Sequence, residues 1–214
     1  MGKMPEEVRK GRHRLLSDEE ILRAALASFA LQGFASMSVR QLNSSLGLSH
    51  ETVRQRFGSK RDLYFAAVDF GVAIFFELLG EERSLLPATL DELEELRYAT
   101  RSFITASIRF PQLAQLVNHE ANHGSERLEY IFTRAFEPGM LLFKDMLERL
   151  AEADRIFPIS LRDAFFMIDA GMSPYLQTAL SQSFDATSGG FDETTHVDAF
   201  LDFVFRGLVK PVRG

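Results

Sequence analysis

Apolar residues recur every three or four positions along most of the chain, a spacing typical of amphipathic helices. The first such segment follows Ser17 and Glu20, which have the spacing of a helical capping box. Gly33 ends that segment, and Gly47 suits a tight turn because glycine tolerates a positive φ. The front of the chain is therefore predicted to form four helices: residues 17–33, residues 38 to the turn at 47, residues 49–57, and residues 58–80.

The rest of the chain continues in the same way. The dipeptide Pro138-Gly139 should kink the longest helix, because proline lacks the N–H that a helix interior requires. No segment alternates polar and apolar residues over a length that would make a strand. We predict an all-α protein of about nine helices, the later ones beginning at Pro87, Pro111, Ser125 and Ser160, with a last helix that ends near Leu208.

The 214 residues carry a net charge of −6, but this charge is unevenly distributed. Residues 1–62 contain eleven Lys and Arg against seven Asp and Glu, whereas the remainder contains 13 against 23. A basic N-terminal segment on an otherwise acidic chain indicates a polyanionic partner such as nucleic acid, although chance also produces such differences in charge. The complete lack of cysteine excludes disulfides, thiolate metal sites and cysteine nucleophiles.

Two observations on the chain bear on its location. The basic residues among the first twenty are not followed by an apolar run, so no signal peptide is predicted. The longest uncharged stretch, residues 24–39, is 16 residues long, whereas a membrane span needs about 18 apolar residues. We therefore expect a cytoplasmic protein that has no membrane partner, in keeping with its lack of cysteine.

The second and third predicted helices, joined by the turn at Gly47, have the pattern of a helix-turn-helix. In that geometry the second helix of the pair places its N-terminal residues on base edges in the major groove of DNA. Val53 and Phe57 are spaced to face inward, which leaves the polar residues on the outer face. A three-helix core that binds nothing would have the same pattern, so the spacing alone leaves both interpretations open.

Several short sequences in this region carry a family resemblance. They are GFASMSV at residues 33–39, LGLS at 46–49, TV at 52–53 and FGSK at 57–60, followed by Leu63. Together they resemble the DNA-binding domain of the tetracycline-repressor (TetR) family of bacterial transcriptional regulators over residues 17–65. The FGSK segment is the most specific part of this resemblance.

The resemblance implies a homodimer, a double-stranded DNA operator with an inverted repeat, and a small-molecule effector that controls DNA binding. It also implies that Ser38 and Lys60 contact phosphates and that Thr52 contacts a phosphate or a base. The resulting function is a ligand-responsive transcriptional regulator, expected to be a repressor. The candidate DNA-binding residues are Ser38, Arg40, Gln41, Ser49, His50, Thr52, Arg54, Gln55 and Lys60.

Three residues depart from the family pattern. Arg54 stands where a tyrosine that touches the DNA backbone is usual, Glu51 replaces a small residue, and Asn43 replaces an alanine. Arg54 could bind the same phosphate or read a guanine edge through two hydrogen bonds. We expect all three changes to leave the fold intact and to alter the preferred operator sequence.

The chain divides by prediction into three parts. Residues 1–16 would form a flexible basic arm that reaches the DNA backbone or the minor groove, with a solvated tail as the alternative. Residues 17–62 would form the helix-turn-helix domain. Residues 63–214 would form a larger helical domain for effector binding and dimerisation.

The segment HEANH, residues 119–123, offers a different function. It satisfies the H-E-x-x-H pattern of zinc metalloproteases, in which His119 and His123 would share a helical face and Glu120 would act as a base. Against this, Gly124 and Ser125 end the helix at once, and no third ligand is evident. A metal-binding protein or hydrolase is therefore the alternative, while our expectation is no metal, no cofactor and no enzymatic activity.

Twenty phenylalanines and no tryptophan are an unusual aromatic composition. Most should fill the core, but the family keeps a cavity in its C-terminal helices, and apolar cavities with a few polar groups bind small molecules. We therefore expect a largely apolar effector. Its candidate contacts are Arg101, Phe103, Asn118, His119, Asn122, Phe132, Phe136, Met167 and Tyr175.

The last two predicted helices have wide apolar faces that call for a partner. In the family, these helices pair with their two-fold mates in a four-helix bundle, which sets two recognition helices about 34–36 Å apart. The candidate dimer-interface residues are Phe165, Ile168, Met172, Leu176, Leu201, Val204, Phe205 and Leu208.

Overall fold

The computed structural model describes residues 16–84, 90–122 and 124–211. These residues form α-helices joined by short turns, with no strand among them beyond an isolated bridge between Ile156 and Val209. The predicted all-α fold is confirmed. The helices are α1 (Asp18–Ser36), α2 (Val39–Ser45), α3 (Thr52–Phe57), α4 (Lys60–Ser84), α5 (Glu92–Arg109), α6 (Gln112–Glu120), α7 (Glu126–Ile131), α8 (Glu137–Glu152), α9 (Leu161–Leu176), α10 (Thr178–Gln182), α11 (Asp185–Ser188) and α12 (Glu193–Leu208).

Local side-chain caps fix the start of most helices. The hydroxyl of Ser17 accepts from the backbone N–H of Glu20 at 3.1 Å, and the Glu20 carboxylate accepts from the N–H of Ser17 at 2.8 Å. Ser125 and Ser160 cap α7 and α9 in the same manner. These bonds join residues only three apart, so the sequence pattern was sufficient to predict them.

Two predicted helix starts were wrong. Helix α3 begins at Thr52 rather than at Ser49, because Glu51 occupies the cap position without a side-chain bond. Helix α5 begins at Glu92, where Asp91 and Glu94 form a capping box; Pro87 lies outside the described residues. Gly33 has a φ of 73°, so the regular part of α1 ends there as predicted, although helical residues continue to Ser36.

Helices α7 and α8 are joined by a π-helical turn, Phe132–Phe136. Pro138 follows in the first turn of α8. Because proline has no N–H to donate, the ordinary i to i−4 ladder cannot pass through it, and a wider turn absorbs the break. The predicted interruption of the long helix therefore lies just before Pro138, and a kink of its axis stays a prediction.

Helix α4 occupies the centre of the structure and contacts α1, α3, α5, α6 and α7. Its buried stripe includes Leu63, Val68 and Phe75. Gly71 lets two helices approach closely, since a Cβ there would lie 2.9 Å from Cδ2 of Leu26 and 3.3 Å from Cδ2 of Leu113. This first core extends from the front helices into α5 and α6, so the predicted division after residue 62 lies within a continuous packing unit.

A second core lies among α5, α8, α9 and α12. Gly171 of α9 packs against the ring of Phe200 on α12, and a Cβ at Gly171 would lie 2.6 Å from Cδ1 of that ring. His196, also on α12, has its Nε2 3.0 Å from the carbonyl oxygen of Gly171. Contacts within one chain therefore fix the positions of α9 and α12 relative to each other.

Among the described helices, α4 is the one that is long and apolar enough to cross a bilayer. Asp69 and Glu77 lie within its sequence, so it contains no long uncharged stretch. In the structure, α4 packs against five other helices of the same chain. The buried part, 39% of its most apolar segment, accounts for part of this composition.

The contact at Gly171 gives a test of the second core. Gly171→Ala should lower the free energy of unfolding by about 1–3 kcal/mol, because the added methyl group overlaps the Phe200 ring. Gly80→Ala is the matched control: nothing lies within 4 Å of its added methyl group, so the better helix propensity of alanine should raise stability by up to about 1 kcal/mol. Denaturant titration measures both, and equal stability of the two variants would contradict the packing described.

Candidate DNA-binding surface and effector cavity

The turn between α2 and α3 is held by one buried amide, that of Asn43 on α2. Its Nδ2 donates to the carbonyl oxygens of Val39 at 3.1 Å and His50 at 3.0 Å. Its Oδ1 accepts from the backbone N–H of Val53 at 3.3 Å. Asn43 is fully buried, so these bonds exchange no partner with water and fix the position of α3 relative to α2.

The structure places Asn43 inside the fold, where its side chain faces away from the outer surface and supports the turn. The fold is intact with asparagine at this position, as predicted, and any effect on the operator sequence stays a prediction. A polar residue next to Leu42 on a helix that otherwise needs apolar contacts was the available signal. Its partners lie four, seven and ten residues away, too varied a set for any simple sequence pattern.

The outer face of α2 and α3 carries most of the predicted DNA-binding residues. Two of them, Arg40 and Arg54, are exposed, and neither forms an ion pair with any described residue. Six of the nine predicted DNA-binding residues are exposed in the structure, and the other three, Ser38, Thr52 and Lys60, are partly covered. The exposed six are Arg40, Gln41, Ser49, His50, Arg54 and Gln55.

Two predicted phosphate-binding groups already have partners within the chain. The hydroxyl of Ser38 accepts from the N–H of Gln41 at 3.3 Å, and that of Thr52 lies 2.7 Å from the hydroxyl of Ser49. A hydroxyl both donates and accepts, so each can keep this bond and still donate to a phosphate oxygen. Their contacts with DNA stay a prediction.

Lys60 lies at the junction of α1 and α4. Its Nζ donates to the carbonyl oxygen of Ala35 at 3.1 Å and sits 4.8 Å from the centre of the Phe34 ring. Partial burial, followed by the nearby positive charge of Arg127, lowers the pKa of Lys60 below its ordinary value. Lys60 thus stabilises the junction, and its predicted phosphate contact would use the remaining N–H groups of the ammonium.

A cavity of about 590 Å³ opens between the second half of α4 and helices α5, α8 and α9. Aromatic and aliphatic side chains form most of its wall. This volume falls in the range of small-molecule sites. Its lining includes Phe75, Phe76, Leu79, Arg83, Glu95, Ser102, Phe103, Phe136, Met140, Phe143, Asp145, Met146, Arg149, Phe165 and Ile168.

Two of the nine predicted effector contacts, Phe103 and Phe136, line this cavity. The other seven lie outside its wall, and their contacts with an effector stay a prediction. Arg101 forms an ion pair with Asp198 on α12, and the Tyr175 hydroxyl donates to the carbonyl oxygen of Glu193 at 2.8 Å. Asn118, His119, Asn122 and Phe132 are exposed, and Met167 packs on the second core.

The predicted dimer-interface residues lie inside the chain, where they contact other helices of the same protomer. Seven belong to the second core, and Phe165 lines the cavity; the members of that core are Ile168, Met172, Leu176, Leu201, Val204, Phe205 and Leu208. The apolar faces of α9 and α12 pack against each other and against α5, so their width reflects internal contacts. The outward apolar side chains of these helices are Phe166, 63 % exposed, and Phe203, 79 % exposed.

The HEANH segment, which carried the alternative metal site, lies at the end of α6. Helix α6 ends at Glu120, so the helical spacing does not extend to His123, which lies outside the described residues. The Nε2 of His119 lies 2.9 Å from the carbonyl oxygen of Ala30. Glu120 is buried and accepts from the hydroxyl of Ser125 at 2.7 Å and from Nε of Arg127 at 2.8 Å, so its carboxylate serves an ion pair.

The three hydrogen bonds of Asn43 lead to a prediction. Asn43→Ala should lower the free energy of unfolding by about 1–3 kcal/mol, because it leaves the His50 carbonyl and the Val53 N–H without this partner. DNA affinity should also fall, since α3 is no longer fixed. Thermal unfolding and DNA titration check both effects against Ser44→Ala, an exposed neighbour expected to change neither; a stable variant with full affinity would refute the role of Asn43.

The first helices of the chain match a known protein family. Residues 21–67 match the model of the bacterial regulatory proteins of the tetR family. No protein of curated function matches the sequence.

Solved structures share the fold along nearly the whole chain. The ketosteroid transcriptional regulator of Mycobacterium tuberculosis aligns with a TM-score of 0.63 at 18% identity, covering 92% of this chain and 98% of that one. A TetR family transcription regulator from Marinobacter aquaeolei aligns with a TM-score of 0.60 at 16% identity, covering 89% and 94%. A hemolysin II transcriptional regulator aligns with a TM-score of 0.61 at 19% identity, covering 90% and 97%.

These comparisons agree with the geometry of the front helices. The matched residues contain α2, α3 and the turn that Asn43 holds, and they end within α4. Regulators of this type bind DNA through that helix-turn-helix. Residues 21–67 therefore form a helix-turn-helix region of the tetR family type, and the chain as a whole shares the fold of these solved regulators.

Proposed function

We propose that the protein is a dimeric cytoplasmic repressor that a small, largely apolar effector releases from an inverted-repeat operator. One observation carries the proposal: helix α4 begins at the DNA-binding surface and ends in the wall of the cavity. Its first residue, Lys60, contacts α1 beside the helix-turn-helix, while Leu79 and Arg83 line the cavity. A ligand that displaces the far end of α4 would therefore also move the DNA-binding end.

A second contact path supports this coupling. The π-helical turn that follows α7 contributes Ala135 and Phe136 to the cavity wall. At the other end of α7, Glu126 accepts from Arg61 on α4 at 2.7 Å, and the guanidinium of Arg127 lies 4.4 Å from the Phe34 ring on α1. A ligand that changes the turn would move these contacts, and operator and effector affinities would then be coupled reciprocally.

The dimer is proposed to form through the outward faces of α9 and α12. Phe166 and Ala170 on α9, and Ala199, Phe203 and Gly207 on α12, follow one another at intervals of four residues and are exposed. Large rings beside small residues allow two copies to interlock about a two-fold axis, where each face meets its own copy. This set replaces the interface predicted from the sequence.

The proposed function is tested by selecting bound duplexes from a random DNA pool. The recovered sites should contain an inverted repeat whose half-sites lie about one helical turn apart, 34–36 Å, because a two-fold dimer presents α3 twice. Recovery of sites without any repeat would refute an operator-binding dimer.

Arg54 is the most informative residue of the DNA surface. If it neutralises a phosphate, Arg54→Ala should weaken binding to the selected operator and to random DNA alike and lower the salt slope by about one unit. If it reads a guanine, the loss should be about 1–3 kcal/mol on the operator and much smaller on random DNA. Titrations across a salt series distinguish the two.

The control for this measurement is Lys144→Ala on α8, which removes one positive charge far along the chain from the helix-turn-helix. It should leave both affinities and the salt slope unchanged. Full affinity of Arg54→Ala for both duplexes would remove Arg54 from the interface.

Phe203→Arg tests the dimer. A guanidinium buried without a partner between two α12 helices should cost several kcal/mol, on the order of 3–5, and shift the protein to monomer. Sedimentation measures the change, and operator affinity should fall with it. Leu31→Arg on α1 has the same 79 % exposure and should remain dimeric; a dimeric Phe203→Arg protein would place the interface elsewhere.

A further inference from the structure

A second, smaller pocket of about 30 Å³ adjoins the main cavity. The two spaces share the rings of Phe75, Phe103, Phe136 and Phe165 in their walls. Neighbouring rings in this group have centroids 5.5–6.5 Å apart. A space of this size accepts a group about as large as one water molecule, such as an ammonium, but no ring or branched chain.

Asp169 on α9 gives this inner pocket its chemistry. It is the one charged residue among the described side chains of the pocket wall. Its carboxylate has no hydrogen bond or ion pair with any part of the chain that the structure describes. Burial raises its pKa above the ordinary value for an aspartate, because the charged form is poorly solvated there. A cation or a hydrogen-bond donor placed beside it would remove that penalty.

A buried hydroxyl lies in the same pocket. Ser107 on α5 is only 5 % exposed and lines the inner pocket, and its side chain has no hydrogen-bond partner among the described residues. A hydroxyl that borders a cavity and has no partner among the described residues is available to a group supplied from outside. Together with Asp169 it provides two acceptors at the inner end of an otherwise apolar space.

The charged residues in the wall of the main cavity do not change the negative sign that Asp169 gives to the inner pocket. Its wall contains two basic residues, Arg83 and Arg149, and two acidic ones, Glu95 and Asp145. Arg149 already donates to Glu92 at 2.5 Å. The described charges of the outer space are therefore mixed in sign, whereas Asp169 is the one charged residue among the described residues of the inner pocket.

We propose that the cavity binds an apolar molecule that carries a protonated primary amine. The hydrocarbon part fills the main cavity beside the shared rings of Phe103 and Phe136, and the ammonium group donates to Asp169 and Ser107 in the inner pocket. The proposal rests on the proposed function in taking this cavity as the effector site. It excludes fatty acids as preferred ligands, because their carboxylate would meet a like charge.

The experiment compares three probes of equal chain length: decylamine, decanol and decanoate. Calorimetric titration of the protein without DNA should give decylamine an affinity at least about tenfold higher than decanol, equal to 1.4 kcal/mol, since a hydrogen bond to a charged group exceeds a neutral one by this order. Decanoate should bind most weakly. Asp169→Asn, which keeps the shape and removes the charge, should lose the preference for the amine and retain decanol binding.

Asp145→Asn is the matched control, because it removes the same charge from the wall of the main cavity and should leave the preference for decylamine intact. Thermal unfolding gives a second measurement that does not depend on calorimetry. Decylamine should raise the Tm of the wild type and of Asp145→Asn, and raise that of Asp169→Asn much less. Equal affinity of the wild type for decylamine and decanol, or a preference that survives in Asp169→Asn, would overturn the proposal.

Binding is measured without DNA, so failure of this inference is distinguishable from failure of the proposed function. Selective decylamine binding that depends on Asp169 supports the amine site whatever happens to the operator. If saturating decylamine then leaves operator affinity unchanged, the ligand-responsive repressor is refuted while the site stands. If decylamine does not bind, the amine site is refuted and the operator selection remains an independent test.

Discussion

The structure depends on one uninterrupted helix that serves both ends of the molecule. Helix α4 runs for 25 residues, about 37 Å at 1.5 Å per residue. Its first turns pack beneath α1 and α3, and its last turns form a wall of the cavity. Because a helix of this kind is stiff along its axis, neither end can shift without the other.

Close packing around α4 makes this constraint effective. Gly71 removes the side chain at the point where α1 and α6 both approach, which brings Leu26 and Leu113 into direct contact with the helix backbone. Lys60, Arg61 and Arg127 then fasten the same region through polar contacts with α1 and α7. The front helices and the helices that line the cavity therefore share one core rather than meeting at a loose linker, and the proposed coupling of the cavity to the DNA surface rests on this packing.

Two polar side chains in apolar surroundings, one buried and one partly buried, differ in their contacts. Asn43 is fully satisfied by three backbone partners, and it fixes the turn on which DNA recognition depends. Asp169 has no partner among the described residues, and it marks the place where the cavity lacks a complementary group. A buried polar group that is satisfied stabilises a fold, whereas one left unsatisfied beside a cavity indicates what binds there.

The sequence by itself determined the features that rest on neighbours in the chain. The capping pattern of Ser17 and Glu20, the turn at Gly47 and the FGSK segment predicted the helices and the family, because each depends on residues a few positions apart. The cavity walls, the real role of Asn43 and the outward faces of α9 and α12 were decided only by the tertiary structure. An apolar residue has the same signature in a sequence whether its partner is its own chain or a second copy. Phe205 faces the inner core and Phe203 faces solvent on the same helix, and only the packing of α5, α9 and α12 determines which is which.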